Sequence, residues 1–414
     1  MRFLKRGGIL DEYDVPRIPG ETLRDWVVDI FETCGIGRED SEIVADVLVE
    51  SDLRGIASHG VPRLRRLYVD RLLNGTIRAD AKLTIVRETA ATVTFDAGHG
   101  LGPLMAYKAM ERTIQKARDA GVCLSTVGHS DHFGIAGYYA TMALRFPGMA
   151  GIAMTNATPL LVPTWGKEAM LSTAPIAAAF PAGEQDPFVL DAATTAVAWG
   201  KIEIARRLGA TLPEGLAVDE HGQPTTDPFA ARALMPLGGL RATSGQKGYG
   251  LALLVEMLCS QLSGSLWSKK IVYSGARGQQ HADTSHAFIA IDIQAFRPLD
   301  EYNASVDEMF ATLRNATSGP VTRRLVLRVL DAADPSREAL RLDAGTVSLD
   351  PGERTIELKA ALPDARLWTP DTPHLYLCEV SLLSVTLSPR FMRRKRGPRA
   401  MRPYLIQVSR ATTG

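Results

Sequence analysis

The chain has 414 residues, 45% of them hydrophobic and 22% charged, with a formal net charge of +1 at pH 7. That length exceeds one ordinary domain, and the balance is that of a chain with a large core, which excludes a disordered or fibrous protein. No run approaches the ~18 consecutive apolar residues of a membrane span, so no membrane partner is expected.

The first residues, MRFLKRGGILDEYD, carry basic groups but no apolar core or small-residue cleavage site, so no signal peptide is read there. Thr22 and Asp25 stand at capping-box spacing. Leu23, Trp26, Val27, Ile30, Phe31 and Cys34 then recur at helical intervals until Gly35. A second helix is predicted through Ile43, Val44, Val47 and Leu48. A third starts near Pro62, with Leu64, Leu67, Tyr68 and Leu72 on one face before Gly75. Beyond it, strand-like runs (ATVTFDA, GVCLSTVG, MAGIAMTNA, FVLDAA, HAFIAIDI) are separated by helical stretches near 103–120, 194–208 and 247–263. This is a mixed α/β pattern.

Near residue 320 the pattern changes to short alternating runs broken by proline turns, an all-β reading to about 385. From Ser381 to Gly414 stand eight basic residues and no acidic one, so without them the formal charge falls from +1 to −7. The basic end is read as a solvated tail rather than a nucleic-acid surface, since no nucleic-acid motif accompanies it. Cys34, Cys123, Cys259 and Cys378 fit neither a disulfide framework nor a C-x-x-C knuckle, and a reduced, cytoplasmic setting is expected.

Several short stretches carry possible chemistry. Ser58-His59-Gly60-Val61-Pro62-Arg63 precedes a helix start, where free N–H groups and the positive dipole end favour an anion. Arg63 suits a carboxylate and His59 a proton, though a capping turn with a surface arginine explains the hexapeptide equally well. His129-Ser130-Asp131-His132-Phe133-Gly134 follows a strand. Its histidines admit a metal reading, but no third ligand stands at a characteristic spacing, and no metal is expected. Asp191 closes FVLD ahead of a helix, where it either orients a histidine or caps the helix near Thr194. Lys247 opens an apolar helix among glycines, placed for a phosphate or simply solvated. Gly98-His99-Gly100-Leu101-Gly102-Pro103 is not G-x-G-x-x-G, so there is no Rossmann fingerprint.

Taken together and in order, SHGVPRLRRLYVDRLLNGTI, DAGHGLGP, GHSDHFGIAGYYA, TNATPLLVPTWG, PFVLDAATTAVAWGKIEIARRLGATLPEGLAVDEHGQPTTDP and QKGYGLALLVEMLCSQLSG resemble the type-2 malate/L-lactate dehydrogenases over residues 18–318. That group includes sulfolactate and ureidoglycolate dehydrogenases. The resemblance implies a non-Rossmann α/β fold, NAD or NADP as cofactor, a small 2-hydroxyacid or 2-oxoacid as substrate, and a homodimer. Carried onto this chain, it implies His132 as proton acceptor, with Ser58, His59 and Asp191 in a relay. Arg63 would hold the substrate carboxylate, and Asn156, Leu190, Asp191, Ala192 and Lys247 would line the cofactor. The residues alone leave His59 open as the base.

Two departures stand out. Ser172-Thr173-Ala174-Pro175 replaces the family's Gly-Thr-Asn-Pro, and Pro351-Gly352-Glu353 lacks the surroundings of the family's closing segment. Residues 325–385, with ARLWTPDTPHLY at 365–376, instead resemble part of the immunoglobulin-like sandwich of family 2 glycoside hydrolases, without the catalytic barrel. The expectation is a dehydrogenase body, an appended partial β-sandwich poorly integrated with it, and a basic tail over 386–414. Two other readings are a dehydrogenase-like scaffold that lacks turnover, and a metal-dependent hydrolase built on His59, His129 and His132.

Overall fold

The computed structural model describes residues 18–272, 281–315, 321–331, 338–349 and 376–384. The first two helices, α1 (Gly20–Thr33) and α2 (Arg38–Leu53), form where the spacing predicts them. Helix α1 begins before Thr22, at Pro19, and no side chain caps it, so the capping box is not formed. The third predicted helix is a composite: a 3₁₀ turn (Val61–Arg63), a π-helical segment (Leu64–Val69) and α3 (Asp70–Leu73).

The centre is a seven-stranded sheet. Its strands are β1 (Thr84–Glu88), β2 (Thr92–Asp96), β3 (Val122–Ser130), β4 (Met149–Thr155), β5 (Ile176–Phe180), β6 (Phe188–Ala192) and, after the small strands named below, β10 (Thr284–Asp292). The spatial order is β1-β2-β3-β10-β4-β5-β6. Only β2 and β3 pair in parallel; every other neighbouring pair is antiparallel. Helices α4 (Gly102–Ala120) and α5 (Ala136–Met142) follow β2 and β3. The β2–α4–β3 unit is the crossover that a parallel pair requires.

Period-two alternation decides which side chains face which layer. On β4, Ala153 joins the core formed with α2, α4 and α5, whereas Ile152 and Met154 face the opposite cluster. On β10, Phe288 and Ala290 take the first side and Ala287 and Ile289 the second. That second side is covered by α7 (Gly245–Glu256) and its π-helical extension (Met257–Gln261), through Ala252, Val255 and Cys259. The mixed α/β reading is therefore right, and the sheet lies between helices on both faces.

A small lobe carries α6 (Trp199–Leu208) and the two-residue strands β7 (Ala217–Val218), β8 (Pro224–Thr225) and β9 (Ala233–Leu234), around Ile202, Ala205, Leu212 and Leu234. Helix α8 (Leu299–Asn315) follows β10. The chain divides into one compact unit ending at Asp307 and another beginning at Glu308. The second contains β11 (Val321–Asp331), β12 (Glu338–Leu349) and β13 (Tyr376–Ser384), an antiparallel sheet in the order β12-β11-β13. Pro351-Gly352-Glu353, most of the sandwich-like motif at 365–376 and the basic tail lie outside the described residues.

One close approach seats the loop after β3. A Cβ on Gly102 would collide with the carbonyl oxygens of His132 and Asp131, both backbone atoms that cannot swing aside. Gly102→Ala should therefore cost about 1–3 kcal/mol as overpacking against an immovable neighbour. Urea denaturation would show it as a lowered midpoint. A midpoint equal to that of the parent would mean that the loop does not pack so closely on α4.

Candidate active site

The loop leaving β3 buries a charge pair. Asp131 and Arg71, each with a side chain only 2% exposed, are joined through Oδ1 and Nη1. The same Asp131 oxygen accepts the His132 amide at 2.6 Å. Burial pushes the Asp131 carboxyl up to about 6 against the pull of Arg71. Arg71 belongs to α3, so the pair ties the composite helical stretch over 61–73 to the end of β3.

That tie brings Tyr68 onto His132. The Tyr68 hydroxyl lies 2.6 Å from His132 Nδ1, and the rings meet edge-on with centroids 5.7 Å apart. The His59 ring also stacks on His132, at 5.6 Å and 20°. Ser58 Oγ lies 2.9 Å from His59 Nδ1, and Arg63 Nε donates to the Ser58 carbonyl at 2.8 Å. Asp52 of α2 accepts the Val61 amide at 2.8 Å and so anchors the start of the 3₁₀ turn. The π-helical segment matters here, because a widened turn is a common feature of functional sites.

The electrostatics are one-sided. Burial first, then His59, Arg71, Arg63 and His286, hold His132 well below the ordinary histidine range. Burial, with Arg63, pulls His59 down to about 4. Both rings are therefore neutral at pH 7, and Arg63 and Arg71 bring positive charge to them.

Ser58, His59, Arg63 and His132 thus converge as the motifs lead one to expect. Asp191 does not join them: its Oδ2 accepts the Gly137 amide at 2.9 Å, at the start of α5. Burial raises this carboxyl, and the Gly137 amide lowers it. The expected cap on the following helix is not formed, since α6 begins at Trp199 with no side-chain cap; the carboxylate instead accepts an amide in the first turn of α5. Asn156 is fully buried. Its Nδ2 donates to Glu256 and to the Leu266 carbonyl, both at 3.1 Å, and its Oδ1 accepts the Ser285 amide at 2.8 Å. Its side chain is a brace between β4, α7 and β10.

Leu190 and Ala192 lie with Asp191 on β6, at the sheet edge. Lys247 is exposed in the first turn of α7, with no ion pair among the described residues. The two places are neighbours: the Leu237 amide donates to the Thr194 carbonyl, just past β6, and Gly248 packs on the Leu237 backbone too tightly for a Cβ. Ala174, where the family reads asparagine, is buried at φ 38, in the cluster of Ala252, Val255 and Cys259.

His129 turns to other partners. Its Nδ1 lies 3.2 Å from Asp96, and its ring meets His99 at 5.4 Å. The three histidines of the hydrolase reading therefore do not converge, and among the described residues no group of three His, Cys, Asp or Glu is placed to hold a metal ion. The sequence reading gives no role to Tyr68, Arg71 or Asp131, although Asp131 stands within the HSDHFG stretch. Tyr68 shows in the sequence only as a position on an apolar helix face, and nothing local marks a buried arginine.

Known proteins decide what this assembly belongs to. The malate/L-lactate dehydrogenase family model matches residues 18–328. The chain belongs to that family, and so to the oxidoreductases that interconvert a 2-hydroxyacid and its 2-oxoacid with a nicotinamide cofactor. It is 41% identical over 322 residues to a malate dehydrogenase of Pyrococcus horikoshii, covering 77% of this chain and 88% of that protein. It is 40% identical over 298 residues to an L-sulfolactate dehydrogenase of Methanocaldococcus jannaschii, covering 72% and 83%. The solved structure of the Pyrococcus horikoshii enzyme superposes with a TM-score of 0.67 at 38% identity, over 73% of this chain and 83% of that one. No described helix is long and apolar enough to cross a membrane.

The depressed histidines make stability depend on pH. Between about 4 and 6.5 the unfolded chain binds a proton at His59 that the folded chain does not. The stability this contributes is full above 6.5 and falls as pH drops through that window. The raised Asp131 carboxyl acts in the opposite direction over the same window, so the test is a difference: from pH 6.5 to 4 the urea midpoint of His59→Gln should gain on that of the parent as pH falls. A difference that stays constant across the window would place the titration elsewhere.

Proposed function

We propose that Arg63 grips the carboxylate of a small malate- or lactate-like 2-hydroxyacid while His132 exchanges the proton of its hydroxyl, with Ser58 and His59 as supporting members. The observation that carries this reading is the convergence of Arg63, His59 and His132 in a setting of neutral imidazoles and positive charge, which suits an anionic substrate. In oxidation His132 accepts the hydroxyl proton; in reduction it returns one. Asp191 supports the loop that carries His132 through the start of α5.

A bound NAD or NADP takes up or supplies the hydride. The wall formed by Leu190, Asp191, Ala192 and Lys247 fits such a group. Leu190 is 40% exposed, and Lys247 is a cation on the first turn of a helix with no ion pair among the described residues, suited to a phosphate. Asn156 contributes by bracing β4 against α7. We infer further that the chain acts as a homodimer. Phe188, Val189 and Leu190 on the edge strand β6, and Leu251, Leu254, Met257 and Leu262 on and beyond α7, leave an apolar surface uncovered. A reduced, cytoplasmic setting is supported by the free thiols of Cys34, Cys123 and Cys259. The organisation we favour is a dehydrogenase domain over 18–318, an appended β segment over 325–385, and a basic tail; β11, which starts at Val321, pairs with β12 and β13 in one antiparallel sheet, and the family match reaches residue 328.

Two substitutions test the assignment. Arg63→Leu should raise KM for the acid and spare cofactor affinity, whereas His132→Ala should lower kcat by the ~10²–10⁴ typical of a lost acid/base. If His59→Ala cripples turnover while His132→Ala is mild, the two histidines exchange roles. If Arg63→Leu changes only cofactor affinity, the carboxylate binds elsewhere.

A further inference from the structure

Resting on that reading, we infer that Tyr68 is a positioning residue that fixes the tautomer of His132, keeping the proton of the neutral ring on Nε2 in the free protein. His132 Nδ1 meets the Tyr68 hydroxyl at 2.6 Å and the Gly134 amide at 3.3 Å. A backbone amide can only donate, so Nδ1 is the acceptor in that contact, and a hydroxyl can donate to the same atom. With Nδ1 accepting, a neutral imidazole carries its hydrogen on the other nitrogen. The ring is then set as a donor toward a 2-oxoacid carbonyl, poised for reduction.

The choice of a hydroxyl over a carboxylate has a chemical meaning. An aspartate on Nδ1, as in the Ser-His-Asp arrangement, holds the proton on that nitrogen and stabilises the charged ring. A tyrosine brings no charge, and its hydrogen can rotate. Donating to Nδ1 beside the Gly134 amide, it leaves on Nε2 the proton that reduction of a 2-oxoacid consumes. Tyr68 is also held firmly in place. Its ring is fully buried, packs edge-on to Phe31 at 6.4 Å, and sits on the π-helical segment two residues ahead of Asp70.

Tyr68→Phe keeps the ring and removes only the hydroxyl. It should lower kcat about 10-fold to 100-fold, less than the loss expected for the acid/base itself, while KM for the 2-oxoacid and for the cofactor changes less than about 2-fold. A merely structural role would instead move KM and the urea midpoint together. The direct readout needs no turnover: nitrogen-15 NMR of the histidine-labelled full chain at neutral pH. The wild-type His132 signals should report a bare Nδ1 and a protonated Nε2, with Tyr68→Phe shifting toward a mixture of tautomers. A wild-type ring protonated on Nδ1, or an identical tautomer in Tyr68→Phe, overturns the inference. Absence of any 2-oxoacid turnover with the expected tautomer intact would count against the function and leave the role of Tyr68 standing.

Discussion

The site depends on one buried ion pair. Arg71 and Asp131 are both withdrawn from water, and two opposite charges survive there only if they face each other and find further hydrogen bonds. Asp131 meets that condition by accepting from Arg71 and from the amide of His132 with the same oxygen. The pair thus joins two pieces of chain 60 positions apart and sets the distance between the helical stretch bearing Arg63 and Tyr68 and the loop bearing His132. Breaking such a pair by removing one partner typically costs about 3–5 kcal/mol, because the charge left behind has no compensation. Packing acts in the same direction, since Gly102 lets α4 abut that loop where any side chain would collide.

Charge then shapes the chemistry. His132 has arginines and imidazoles around it, and burial disfavours its protonated form. An acid/base that must work in such a place stays neutral until a negative charge arrives. In the reading proposed above, a substrate carboxylate held by Arg63 would bring that charge and so couple binding to proton exchange through electrostatics. The surroundings of the site fit the same division of labour. Asn156 and Glu256 are engaged in holding β4, α7 and β10 together, while Lys247 and the edge of β6 remain open.

Much of this is legible in the residues. SHGVPR and HSDHFG are ambiguous one at a time, and it is their order among the other stretches that resemble the family that names Ser58, His59, Arg63 and His132. What cannot be read are contacts closed over long separations. Tyr68 falls at an apolar-face spacing, and its hydroxyl acquires meaning only beside His132. Arg71 carries no local mark of its burial, since arginine is rarely buried. Asp191 reads as a partner of a histidine or as a cap for the helix that follows it, but its carboxylate accepts the amide of Gly137 in α5, 54 positions earlier, with β4 and β5 between them along the chain. Short or alanine-rich elements, such as α5 and β5, carry too little periodicity to be predicted. The left-handed Ala174 leaves no local signal either, since alanine has no preference for that conformation.

The most direct test of the account is consumption of NADH and of NADPH by the full chain against a panel of 2-oxoacids, with ketones that lack the carboxylate as controls. The account predicts loss of cofactor absorbance with at least one 2-oxoacid, and none with the ketones. A folded protein that oxidises neither cofactor with any 2-oxoacid, or that accepts the ketones equally well, would contradict it.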